Sequence, residues 1–271
     1  MKPALTEPLT LNATRPTRKI EPYMLERVSD PIRERRERAL AENSLSPVEV
    51  LVIRELKKPL ANIIKQLRPD IEKGAYSLVL GDDASGRIPT FIVGHVCKAI
   101  CERNKISPPR VRFITGSARL DDVEREKKTQ MVSEQIAKIQ ETVSRNSPEN
   151  LGKVLIVTDC IDRGGSVAIL INALRKNNWK ADVATVGFTD EGRESKDELE
   201  EKWGTHIVSG SNGYPSLLSR SGELSGVTKE KVKKEKMSVF ATPHGDNEKV
   251  RAGRALAQSI ADEISNSESV I

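Results

Sequence analysis

Residues Val154-Leu155-Ile156-Val157-Thr158-Asp159-Cys160-Ile161-Asp162-Arg163-Gly164-Gly165-Ser166 constrain this chain more than any other stretch. Four apolar β-formers open it and predict a buried strand. Asp159 stands at that strand's end, and a short loop with two glycines and a serine follows. From Val167 to Lys176, apolar residues at Val167, Ile169, Leu170, Ile171 and Leu174 predict a packed helix. A strand, a glycine loop and a helix N-terminus together make a place for an anion. The first-turn N–H groups and the helix dipole face it, and glycine lets the backbone come close. Asp159 is positioned to hold hydroxyls or a metal. The stretch is not a Walker loop, because no Gly-Lys-Ser/Thr follows four intervening residues, and it is not a Gly-x-Gly-x-x-Gly dinucleotide fingerprint.

A second unit of the same kind lies upstream. Ala75 to Leu80 predicts a strand, followed by Gly81-Asp82-Asp83-Ala84-Ser85-Gly86-Arg87-Ile88-Pro89 and an apolar helix to about Ile100. Ligands of open α/β sheets sit beyond the carboxyl ends of the strands, so both loops can face one crevice. Arg110 to Thr115 predicts another strand. The charged segment to Asn150 carries a loose helical period through Val123, Met131, Ile136, Ile139 and Val143. Asp182 to Phe188 predicts a further strand, and Trp203 to Val208 a short final one.

The thirteen residues from Val154 to Ser166 resemble the phosphoribosyl-pyrophosphate (PRPP) signature of type I phosphoribosyltransferases: four apolar residues, two acids, two apolar residues, a small or acidic residue, then a Thr/Ser/Arg-Gly-x-Thr/Ser loop. Every position fits except Thr158, where that family carries its first acid. The resemblance implies a three-layer α/β/α fold with a mostly parallel central sheet and helical N- and C-terminal additions. It implies that Asp159 grips the ribose hydroxyls, directly or through Mg²⁺, and that Asp162, Arg163, Gly164, Gly165 and Ser166 bind the 5′-phosphate. Asp159 and Asp162 keep the spacing of the family's Asp-x-x-Asp pair. The second acid there stands near the base and is a candidate general acid/base; here it is equally readable as a loop cap.

The same resemblance makes Asp83, Ala84, Ser85, Gly86 and Arg87 the pyrophosphate loop. Ser85 occupies the usual basic position, and Arg87 supplies a guanidinium two residues later. Ser117 and Arg119 become lid contacts in a segment that closes over the site. Phe188 and Trp203 are the nearby aromatic residues for stacking on a base, though each reads first as core. The implied activity is Mg²⁺-dependent transfer from PRPP to a nucleobase-like acceptor, a purine among the options, in a cytoplasmic homodimer. The alternative is a catalytically weakened member of the fold that binds PRPP or a nucleotide and acts on a nucleic-acid or protein partner.

The organisation read from the sequence is an arm over 1–45, a core over 46–210 and a C-terminal loop and helix over 211–271, which in such folds forms a hood. Ser46-Pro47-Val48-Glu49 predicts a helix start. Pro59 is expected to kink or divide the helical run after it, and Pro69 to close it. Net charge is +5, from 44 basic and 39 acidic residues. That excess suits a polyphosphate substrate and does not favour charge-driven nucleic-acid binding. Three cysteines are too few for a disulfide scaffold. A metal site at His95 would lack further ligands. No apolar run has the length of a membrane span, and the N-terminus lacks the apolar core of a signal peptide.

Overall fold

The computed structural model describes residues 44–82, 86–116, 122–145, 151–189, 194–211, 227–228, 242–243 and 248–267. Helices α1 (Pro47–Glu55) and α2 (Lys57–Glu72) lead into β1 (Tyr76–Asp82), α3 (Arg87–Arg103), β2 (Arg110–Ile114) and α4 (Asp122–Ser144). Then come β3 (Lys153–Ile161), α5 (Gly165–Lys176), β4 (Ala181–Phe188), α6 (Lys196–Trp203) and β5 (Ile207–Ser209). A two-stranded antiparallel pair, β6 (Val227–Thr228) with β7 (Thr242–Pro243), precedes α7 (Glu248–Asn266).

The five main strands form one parallel sheet in the order β2-β1-β3-β4-β5. Its strands read as nearly continuous apolar runs because both faces are covered. Side-chain alternation divides the core in two. Val79, Leu155, Val157, Ala184 and Val208 face α1, α2, α3 and α7. Leu78, Leu80, Ile114, Val154, Ile156, Val183 and Ile207 face α4, α5 and α6. The result is the three-layer α/β/α arrangement expected from the sequence. Residues 1–43 of the expected arm lie outside the described residues. In the 211–271 segment, α7 packs Leu256, Ala257, Ile260 and Ile264 into the same cluster as α3.

Local chemistry explains most element ends. Ser46 caps α1 by accepting from the Glu49 N–H, and Glu49 returns a bond to the Ser46 N–H at 2.7 Å. The helical run divides at Leu56, so Pro59 falls in the first turn of α2, where its missing N–H has little cost. Two expectations need correction. Pro69 does not close α2, which runs on to Glu72; the proline costs one hydrogen bond, while Leu67 and Ile71 on either side stay buried in the core. Trp203 does not open the final strand. It ends α6, a helix begun by a Ser195/Glu198 capping box and stopped by left-handed Gly204, and β5 starts at Ile207.

At the amino end of the sheet, Tyr76 donates to Asp182 at 2.8 Å and Lys153 donates to the same carboxylate at 3.0 Å. This network ties β1, β3 and β4 together at the end opposite the crevice. No described helix is long and apolar enough to cross a membrane.

Candidate functional site

Strand order reverses direction between β1 and β3, and a sheet wound this way opens a crevice beyond the carboxyl ends of those two strands. The loop after β1 and the loop after β3 flank that crevice. Gly81 pairs with Val157, so Asp82 and Thr158 follow directly at the rim. The two loops also touch. A Cβ at Gly86 would stand 2.6 Å from the Asp82 carbonyl, 3.1 Å from that of Val157 and 3.3 Å from Thr158 Cα. Only a glycine lets the first loop lie this flat across the end of β3. Thr90 fastens it, donating to the Gly86 carbonyl at 2.6 Å.

The segment after β2 joins them. Gly116 N–H donates to Asp82 Oδ1 at 3.1 Å, and a Cβ at Gly116 would run into the Ser166 carbonyl. Three loops, from β1, β2 and β3, therefore converge on one spot. Thr115, just before Gly116, is buried, and its hydroxyl has no hydrogen-bond partner among the described residues.

The central loop has the geometry its glycines suggest. Gly164 takes φ +68°, a left-handed conformation that turns the chain from β3 into α5. Its α-carbon faces the Trp203 ring closely enough that a side chain at 164 would collide with it. The Gly164 carbonyl accepts the first helical bond, from Ala168 N–H at 2.8 Å, which leaves the amides of Gly165, Ser166 and Val167 at the helix mouth. Trp203 is 4% exposed and props the loop from below, so it is core and no stacking platform for a base. Phe188 likewise packs against the core on that side of the sheet.

Asp159 is 8% exposed at the end of β3 and accepts from the Thr158 hydroxyl at 3.3 Å. Asp162 is exposed on the loop, and the Thr189 hydroxyl donates to its Oδ1 at 2.9 Å, which steadies it from the end of β4. Arg163 is exposed beside it. Cys160 lies between the two acids. Burial, and then the charges of Asp159 and Asp162, push its thiol up to about 12. Arg87 lies with its guanidinium 4.7 Å from the centroid of the Phe113 ring, on the β2 side of the crevice. Asp83, Ala84, Ser85, Ser117 and Arg119 lie outside the described residues. His95 packs its ring on Phe91 in α3, and burial lowers its pKa to about 4. Among the described residues no group of three or more His, Cys, Asp or Glu side chains is gathered to hold a metal.

Two further residues of the site, Asp82 and Lys128, carry no assignment from the sequence. Asp82 is 3% exposed, and its carboxylate holds the segment after β2 in place. Lys128, on α4, is 2% exposed; burial lowers its pKa to about 8, and the charge of Asp82 resists that fall. Nothing in a charged helical stretch marks one lysine of several as the buried one.

The folded pKa of Lys128 lies below the ~10.5 of an unfolded lysine, so from pH 8 to 10.5 the unfolded chain binds the extra proton. Stability contributed by this group therefore rises with pH across that window. Denaturation measured from pH 7 to 10.5 should show that rise in the wild type and lose it in Lys128→Met.

No family model matches the sequence, and no curated protein matches it. Among solved structures, the chain is similar to the orotate phosphoribosyltransferase from Aeropyrum pernix, at 18% identity and a TM-score of 0.33. The match covers 60% of this chain and 74% of that one. The strand order and loop geometry above stand independently of this likeness.

Proposed function

We propose that this chain binds PRPP in the crevice between β1 and β3 and transfers its phosphoribosyl group to a nucleobase-like acceptor, a purine among the candidates, with release of pyrophosphate. One observation carries the reading. The loop that resembles a 5′-phosphate site and the loop that resembles a pyrophosphate site meet at the switch point, with Gly86 laid on the end of β3.

In this reading the amides at the start of α5, with Ser166 and Arg163, receive the 5′-phosphate. Asp159 receives the ribose hydroxyls. Gly86 and Arg87, with 83–85, receive the pyrophosphate. Transfer breaks the bond from the anomeric carbon to pyrophosphate and forms one to a ring nitrogen of the acceptor. Holding both ends of PRPP supplies most of the effect through fixed geometry. Asp162, steadied by Thr189, takes the proton that the acceptor nitrogen releases.

Mg²⁺ fits this donor set in one manner. It keeps several waters and is held by one or two carboxylates together with substrate phosphates, so Asp159 with the phosphates of PRPP would hold it where a full protein cage is not needed. When bound, it would offset the charge growing on pyrophosphate.

Pyrophosphate release in the presence of Mg²⁺, PRPP and a panel of nucleobases tests the assignment. One base should be turned over, and Asp162→Asn should slow it by about 10²–10⁴-fold while PRPP still binds. Failure of every base to react would remove the transfer step.

A specific observation favours a second reading, a catalytically weakened protein that binds PRPP or a nucleotide as a signal. Thr158 stands where the resemblance expects the first acid; it is 1% exposed and spends its hydroxyl on Asp159. Half of the ribose grip is thus a buried hydroxyl. PRPP binding without turnover of any base would support this reading over the first.

A further inference from the structure

On the flank of the sheet, away from the crevice, β2 and α4 enclose an open groove of about 200 Å³. β2 is an edge strand, and Arg110 and Arg112 lie two residues apart on it, on the same face as Ile114. Across from them α4 presents Gln135, Lys138, Ile139, Thr142 and Val143, a helical stripe. Ile139 and Val143 are buried and form the floor. Gln135 and Thr142 add hydrogen-bonding groups at the walls.

None of the three cations has an ion-pair partner among the described residues. On α4, Glu141 pairs with Arg145 at 3.6 Å, and Glu134 accepts from Gln130 at 3.2 Å. The cations are crowded: burial, and then the like charge of Arg110, lower the pKa of Arg112. Arg112 and Lys138 are exposed and Arg110 is half-buried, so all three charges are open to an anion from solvent, and no described acid competes for them.

The groove's size and charge define the anion. Pockets that engulf a whole drug-sized ligand measure roughly 300–1,000 Å³, so this one takes a single head group of a larger molecule. Arg112 Nη1 donates to the Val111 carbonyl at 2.8 Å. Its remaining N–H groups and the Arg110 fork suit the oxygens of a phosphoryl group, and a third cation suits its second negative charge better than it suits a carboxylate.

We propose that Arg110, Arg112 and Lys138 form a binding site for a phosphate monoester, separate from the crevice. Arg110 pairs with Leu78, four residues before the carboxyl end of β1 at Asp82. Arg112 pairs with Leu80, two residues before it, so at about 3.3 Å per residue the site lies about 7–13 Å back along the sheet from the rim. It stands independently of the phosphoribosyl reading.

The test follows the arginine side-chain Nε–H signals of the full chain by ¹H–¹⁵N NMR at pH 8 and constant ionic strength. Arg110→Gln and Arg112→Gln assign the two signals, and circular dichroism confirms that each variant folds. Titration with inorganic phosphate should shift both signals saturably, whereas acetate should not. Lys138→Gln should weaken the phosphate response by about tenfold. Equal, non-saturating shifts with phosphate and acetate would overturn the proposal, as would saturation indifferent to Lys138→Gln. Stronger saturation by an oligonucleotide lacking a terminal phosphate would replace the monoester by a phosphodiester strand, and would overturn the assignment too.

Discussion

Gly164→Ala is expected to destabilise the protein by about 2–5 kcal/mol and to abolish binding of any 5′-phosphate at the loop. Two effects add. A β-carbon at φ +68° costs about 1–2 kcal/mol in the left-handed region. The same carbon would overlap the Trp203 ring, and forcing extra volume into packed surroundings costs about 1–3 kcal/mol more. The two can be separated, because the second depends on Trp203. Trp203→Ala alone should cost about 3–5 kcal/mol through the cavity it leaves under the loop. In the double variant the new methyl group enters that cavity, so the combined loss should fall short of the sum by about 1–3 kcal/mol. Urea denaturation of the four proteins measures this. Strict additivity would mean that Trp203 does not support the loop.

Asp82→Ala should be the other severe substitution at the site, at about 1–3 kcal/mol. It removes the acceptor for Gly116 N–H and the counter-charge that resists the lowering of the Lys128 pKa. The 2% exposed ammonium of Lys128 then loses the favourable charge of Asp82. That part of the loss vanishes where Lys128 gives up its proton, so the cost should shrink as pH rises through 8. Denaturant midpoints of wild type and variant at pH 6 and pH 9 check both the size and the trend. A loss that is small and independent of pH would mean that Asp82 and Lys128 are not coupled.

The fold was readable because a buried parallel sheet writes itself as apolar runs such as Val154 to Val157, separated by helical periods. The glycine loop was readable because Gly164 and Gly165 sit between such a run and a helix. The closeness of Trp203 to Gly164 was not readable, since it is a contact between residues brought together only by packing β3, α5 and α6. Trp203 even read as strand, because the capping box that places it on a helix starts eight residues earlier at Ser195.

The Asp82–Gly116–Lys128 arrangement was hidden for the same reason, as it joins β1, the end of β2 and α4. Its consequence for the site is that the acid next to the candidate pyrophosphate loop is already engaged, by the Gly116 amide and by the Lys128 charge. An aspartate that looks repulsive to pyrophosphate in the sequence is, in the fold, a structural anchor. The groove of Arg110, Arg112 and Lys138 was equally invisible, because a strand's arginines and a helix's lysine meet only across the crossover from β2 to β3.

The central claim is that the loops after β1 and β3 form one PRPP site. Calorimetric titration with PRPP and Mg²⁺, on wild type and on Asp159→Asn, tests it most directly. Saturable binding to the wild type is expected, with its loss, or a weakening of at least about tenfold, in the variant, because Asp159 is the acid at the rim of β3 proposed to hold the ribose. Absence of binding to the wild type, or equal binding by both proteins, would contradict it.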